Sequence, residues 1–229
     1  MEGRMFMCNK LERDIKIAYK KLKANIYFDK TQLPLRNKIV DFELNDFEKN
    51  IKEMNDALLG NDKVWNKYQE KILKSIDVLL LPKKLSKEDL PEVIFNTNEN
   101  DIVIDKPQFF IDLDVTGHIL GVLWILFIGR FLDDDMYEYS YGNRLRRTLV
   151  NNELMNEENN ITFSPSLFQP YFSQYEDWRD KGLKLAKNCL IEKQDALILT
   201  LDFKSFFYNI EITSEEFDAF YDGNEEWKR

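Results

Sequence analysis

Asp202 is the residue best placed to do chemistry. It closes the apolar run Ala196-Leu-Ile-Leu-Thr-Leu201, and Phe206 and Phe207 follow four and five residues on. A continuous apolar run suits a central strand covered on both faces. A carboxylate at its C-terminal end is held rigidly, at a place where ligands gather in mixed sheets. Hard divalent cations take oxygen ligands of this kind, and an aromatic ring five residues on can lie against a bound sugar. The plainer alternative is an aspartate that caps the following turn. A second acidic group, Asp133-Asp134-Asp135, ends an apolar helix and reads as a solvated helix end. The most basic short stretch runs from Tyr139 to Arg147 and contains Arg144, Arg146 and Arg147; Lys181, Lys184 and Lys187 recur downstream. By themselves these cations read as ordinary solvated charge.

Several other chemistries are excluded. The single histidine, His118, cannot build a histidine-rich metal centre, a two-histidine relay or a Ser-His-Asp triad. One turn into an apolar helix, it reads as a packed or capping imidazole. Cys8 and Cys189 are too few and too far apart for a disulfide framework or a zinc site. Cys189, spaced with Leu183, Ala186 and Leu190, reads as core. Neither Gly-x-Gly-x-x-Gly nor Gly-Lys-Ser/Thr occurs, so dinucleotide and P-loop binding are unsupported. The 229 residues are 44% apolar, 14% aromatic and 32% charged, which excludes a disordered or low-complexity chain. A net charge of −9 argues against a protein that coats nucleic acid over its whole surface, while leaving room for a local basic groove. The N-terminus lacks the apolar segment of a signal peptide, and Ile119 to Gly129 is about half the length of a bilayer span. A soluble chain in a reducing compartment is expected.

The elements that must position these residues change character along the chain. Leu11, Ile15, Ala18, Leu22 and Ile26 form one amphipathic helical stripe, and Phe47, Ile51, Met54 and Leu58 form another, with Gly60 as its C-terminal cap. Val64, Tyr68, Ile72, Ile76 and Leu80 make a third, stopped by Pro82. Gln32 to Arg36 reads as an extended link, and the polar segment 83–100 as a connection. Asp101 to Ile104 and Phe109 to Leu113 are short strand candidates. Thr116 is the expected N-cap of an apolar helix through Ile119 to Leu132. Asn151 to Asn160 reads as a polar loop. The aromatic stretch Phe168 to Arg179 leads into a helix through Lys181, Lys184 and Lys187. Thr213 and Glu216 form a capping box for a last helix reaching about Tyr221.

Three of these stretches, taken in order, resemble the reverse transcriptase family, in particular the bacterial enzymes of abortive-infection and phage-defence systems. Leu199-Thr-Leu-Asp-Phe-Lys-Ser-Phe-Phe-Tyr-Asn-Ile210 looks like the first palm motif. Ser140-Tyr-Gly-Asn-Arg-Leu145 looks like the Ser-x-Gly-x-Arg-Leu stretch of the fingers. Phe168-Gln-Pro-Tyr-Phe172, with Tyr175, Trp178 and Arg179, looks like the aromatic segment between them. The resemblance covers roughly residues 105 to 215. It implies an α+β chain: a helical N-terminal region over 1–82, a fingers-like region over 83–195, and the start of a right-hand polymerase palm over 196–229.

The resemblance also implies roles. Asp202 would bind the two magnesium ions that activate a primer 3′-hydroxyl and hold a deoxynucleoside triphosphate. The backbone from Phe203 would lie along the triphosphate, and Phe207 would exclude a ribose 2′-hydroxyl. Arg144 would contact a triphosphate or template phosphate. Arg146, Arg147, Lys181, Lys184 and Lys187 would contact the backbone of an RNA or DNA template–primer. Phe206 reads as core. The N-terminal helices would pack on the fingers or mediate self-association. The family's second carboxylate motif, an aromatic-x-Asp-Asp hairpin, does not occur in residues 203–229. Its only similar string, Phe131 to Asp135, comes about seventy residues before Asp202, and its acidic triplet reads as a solvated helix end or a fingers contact. The expectation is therefore the N-terminal part of an RNA-directed DNA polymerase, bacterial and cytoplasmic, inactive without a partner carrying the second motif. The alternatives are a non-catalytic nucleic-acid-binding or assembly module and a helical interaction protein of other ancestry.

Overall fold

Apolar residues three and four apart drive the N-terminal helices together. The computed structural model describes residues 2–28, 32–85, 104–150, 153–154, 157–203 and 206–222. The chain divides into two compact units, Met1–Trp124 and Ile125–Arg229. In the first, α1 (Glu2–Phe28), α2 (Leu33–Leu44), α3 (Phe47–Leu58) and α4 (Asp62–Lys74) precede a ribbon of β1 (Asp77–Leu85) and β2 (Ile104–Asp112), followed by α5 (Val115–Trp124). The expected stripe of α1 is its buried face: Ile15, Ala18, Leu22 and Ile26 are all 5% exposed or less. They meet α5 through Val115, Ile119, Val122 and Leu123, and α3 through Ile51 and Met54. The Tyr19 ring lies tilted against Phe47 at 4.9 Å between centroids, and its hydroxyl donates to Glu43 at 2.6 Å, which satisfies that buried phenol.

Four sequence expectations are corrected in this unit. Gln32 to Arg36 is not an extended link, because α2 starts at Leu33. Pro34 sits in the first turn, where a missing N–H costs nothing, and the Gln32 carbonyl accepts from the Arg36 amide at 3.0 Å. The third helical stripe ends at Lys74, so Ile76 falls between elements and Leu80 belongs to β1. Antiparallel pairing with β2 wins over helical continuation there, and Pro82 lies opposite Pro107, beside a register shift, so neither needs to donate. The segment expected as a connection begins inside β1; residues 86–103, including the strand candidate Asp101 to Val103, lie outside the described residues. Finally, Thr116 is not the N-cap of α5. Asp114 is, its Oδ1 accepting from the Gly117 amide at 2.7 Å.

The apolar helix is also longer than the run that marks it. Beyond α5, in the second unit, come a π-helical turn, Ile125–Gly129, and α6 (Arg130–Asp135). The stretch Val115–Asp135 is long and apolar enough to cross a membrane by length and composition alone, with 22% of its most apolar window buried.

The second unit continues with β3 (Leu149–Val150), β4 (Glu153–Leu154), α7 (Glu157–Thr162), α8 (Tyr171–Ile191), α9 (Phe206–Asn209) and α10 (Ser214–Asp222). The segment 151–160 is therefore not simply a loop: it carries β4 and the start of α7, with 151–152 and 155–156 outside the described residues. The capping box of α10 forms as expected, Thr213 N–H donating to Glu216 Oε2 at 2.9 Å and Glu216 N–H to Thr213 Oγ1 at 3.2 Å. The central strand over Ala196 to Leu201 does not form. Leu197, Leu199 and Leu201 are 93%, 73% and 74% exposed, because no described strand pairs with this segment. With two antiparallel ribbons among many helices, the chain is α+β.

Candidate nucleic-acid interface

The basic stretch is organised by an aspartate that reads, from sequence, as solvent-facing. Asp133, in the last turn of α6, is buried to 8% exposure and gathers three donors. Its Oδ1 accepts from Arg144 Nε at 2.8 Å and from the Leu145 amide at 3.1 Å, and its Oδ2 from an Arg147 guanidinium nitrogen at 3.1 Å. Burial alone would raise this carboxyl, but Arg144, the Leu145 amide and Arg147 together hold it below the ordinary carboxylate range. Asp134 remains exposed and pairs with Arg147 at 2.6 Å. Of the two expectations for the acidic triplet, the solvated helix end fails for Asp133, which is held by the basic stretch, while Asp134 stays exposed.

Arg144 is committed to the same knot. Beyond Nε, its terminal nitrogens donate to the Asp133 carbonyl at 2.9 Å, the Ser140 carbonyl at 3.2 Å and the Tyr137 carbonyl at 3.4 Å. The guanidinium folds residues 137–145 back onto α6, and phosphate contact there would draw on donors already in use. Arg146 differs: its guanidinium donates a long bond to Ser166 Oγ at 3.4 Å.

The same stretch lies side by side with the aromatic segment. The Arg146 amide donates to the Leu167 carbonyl at 2.9 Å, the Gln169 amide donates to the Arg144 carbonyl at 2.8 Å, and Leu145 bridges Phe168 antiparallel. Leu145 and Leu167 are 5% and 2% exposed, so the two segments bury each other's leucines. They meet although more than twenty residues separate them, a pairing for which the sequence carries no periodic signal.

From Pro170 the chain turns into α8, as expected, but no residue of α8 is buried. Cys189 is half-buried and its spacing partners Leu183 and Leu190 are 54% and 65% exposed, which corrects the core reading of that face. Tyr175 and Trp178 lie against each other at 5.6 Å between ring centroids, both about half exposed. Lys181 holds its ammonium 5.1 Å from the Tyr141 ring centroid, tying α8 to the basic stretch, while Lys184 and Lys187 are exposed further along.

Asp202 and Phe203 are exposed in a segment that is neither helix nor strand. Phe206 is 47% exposed rather than core, its ring 6.2 Å from that of Phe203; the side chain of Phe207 lies outside the described ones. Among the described residues no group of three or more His, Cys, Asp or Glu side chains is gathered as a metal site would need. A lone carboxylate supplies one ligand, so the described residues do not by themselves make a two-metal centre. His118 is half-buried in the first unit. Burial and then the nearby Lys38 lower its pKa against the opposing pull of Asp112 and Asp114, as expected of a packed imidazole. No protein-family model matches this chain, and no curated protein or solved structure is similar to it.

Proposed function

We propose that the chain carries the fingers-like and first palm segments of a reverse-transcriptase-type polymerase, serving antiphage defence in a bacterial cytoplasm. The observation that carries the reading is the pairing of residues 144–146 with 167–169. Two of the three segments on which the resemblance rests are hydrogen-bonded into one surface. Arg146, Lys184 and Lys187 are the cations free to meet phosphates, and Tyr175 and Trp178 offer ring faces on which bases stack. Arg144 and Arg147 shape the surface instead of reading it. When bound, magnesium would supply activation of a 3′-hydroxyl and neutralise triphosphate charge. Asp202 would contribute one carboxylate to it, with the second motif absent from residues 203–229.

The chain on its own is therefore expected to bind an RNA-template/DNA-primer duplex, with a dissociation constant that rises steeply with salt, and not to extend it in magnesium. Fluorescence anisotropy of a labelled template–primer, run beside a primer-extension gel, tests both statements. Absence of binding at low salt contradicts the reading. Extension abolished by Asp202→Ala would keep the polymerase and overturn its incompleteness. The exposed leucines of 196–201 favour one other reading, an assembly module that offers this segment to a partner's strand. That reading predicts Asp202→Ala to be without effect on any nucleic-acid activity.

A further inference from the structure

The N-terminal helices carry a groove to which the sequence attaches no chemistry. It lies between α3 and α4, with a volume of about 440 Å3, and is rimmed by Lys49 and Lys52 on one helix and Lys67 and Lys71 on the next. Ala57, Val64 and Tyr68 floor it. The turn that sets the two helices this close depends on Gly60, where a Cβ would lie 2.9 Å from the Val64 side chain. Lys71 is accounted for: it pairs with Glu53 at 2.9 Å and lies 5.8 Å from the Tyr68 ring centroid. Lys49, Lys52 and Lys67 make no ion pair among the described residues, whereas Lys16, Lys23 and Lys38 of the same unit are each paired with carboxylates. The one unpaired acid on the rim is Asp56, so the groove keeps a net positive charge on a chain whose total is −9.

We propose that the α3–α4 groove holds the phosphodiester backbone of a nucleic-acid strand, a contact additional to the surface around Arg146 and α8. Three unpaired ammonium groups on two adjacent helices, offset only by Asp56, match a row of phosphates, each a compact cation on a flexible stem that can follow a backbone without fixed geometry. The shallow floor of Val64 and Tyr68 gives the sugars an apolar wall. The groove is open, which suits a strand passing through it better than an enclosed small molecule. On a net acidic chain, phosphate is repelled except where such amines converge. The identity of the anion rests on the polymerase reading.

The test measures anisotropy of a labelled template–primer as a function of salt. It compares the wild-type chain with Lys49→Glu/Lys52→Glu/Lys67→Glu and with the milder Lys49→Gln/Lys52→Gln/Lys67→Gln, all checked by circular dichroism. Each phosphate contact contributes about 0.7 to 0.9 to the slope of log affinity against log salt. Both variants are therefore expected to flatten that slope by about 2 to 3 and to weaken binding at least about tenfold at 50 mM salt. Unchanged affinity and slope in both variants overturn the groove and leave the polymerase reading standing. No binding by the wild-type chain overturns both. If polyglutamate displaces the duplex and the same lysines govern its binding, the groove takes an acidic protein and the proposal falls.

Discussion

Removing the Asp133 carboxylate takes a shared partner from Arg144 and Arg147, 24% and 18% exposed, leaving Arg144 its backbone carbonyls and Arg147 the exposed Asp134. Breaking a buried pair by deleting one partner costs about 3–5 kcal/mol, and the partial exposure of both arginines brings the expected loss for Asp133→Ala to about 2–3 kcal/mol. Urea unfolding of the variant checks this, and adding Arg144→Ala should cost far less than the sum of the two single losses. Because the Asp133 pKa lies below its unfolded value, its contribution is complete above about pH 4 and fades as pH falls through the lowered value. His118 titrates with the opposite charge but the same direction. Its neutral form is favoured in the fold, so the unfolded chain takes up the proton first, and stability is lost as pH falls below about 6.5. Lys38, Asp112 and Asp114 set that balance from the surrounding elements. Urea midpoints at pH 7.5 and 5.5 should differ for the wild-type chain and converge for His118→Gln; equal midpoints in the wild-type chain contradict the assignment. Neither partner set was legible in the sequence. Asp133 lies eleven residues before Arg144, and no local period links a helix end to a loop at that distance.

Among the elements, those with a helical period or a capping box were readable: α1, α3, the body of α4, α8 and α10 lie where the sequence puts them, although Leu59 and not Gly60 caps α3, and no described glycine has the positive φ of a left-handed cap. Two of the misreadings turn on the presence or absence of a partner distant in sequence. Ile76 and Leu80 continue the period of α4, yet pairing with β2 takes the chain into a strand. Ala196 to Leu201 has every local mark of a strand and lacks a described partner, so its leucines stand exposed. The start of α5 was a local near miss, displaced from Thr116 to Asp114. Asp114→Ala should lower thermal stability by about 1 kcal/mol, while Asp114→Asn, which still caps, should be nearly neutral. Equal losses from both would mean that the carboxylate charge, and not the cap, matters there.

At the scale of the whole molecule, an acidic chain carries two places where cations gather without full compensation. One is the surface where residues 144–146 meet 167–169, and the other is the groove between α3 and α4. The first was partly visible in the sequence, as an Arg-rich stretch and an aromatic one whose contact only the fold reveals. The second was not visible, because its lysines belong to two different helical stripes and converge only when α3 and α4 pack. Phosphate contacts fix register and orientation while chemistry happens elsewhere. On the proposed polymerase reading, the primer 3′ end meets Asp202 and the aromatics that follow it. The most direct test is a photo-crosslink from a primer whose 3′ nucleotide is 4-thiothymidine, annealed to an RNA template, with the attached peptide identified by mass spectrometry. Attachment is expected within the peptide from Leu199 to Ile210. Crosslinks confined to other peptides, or none at saturating template–primer, would contradict it.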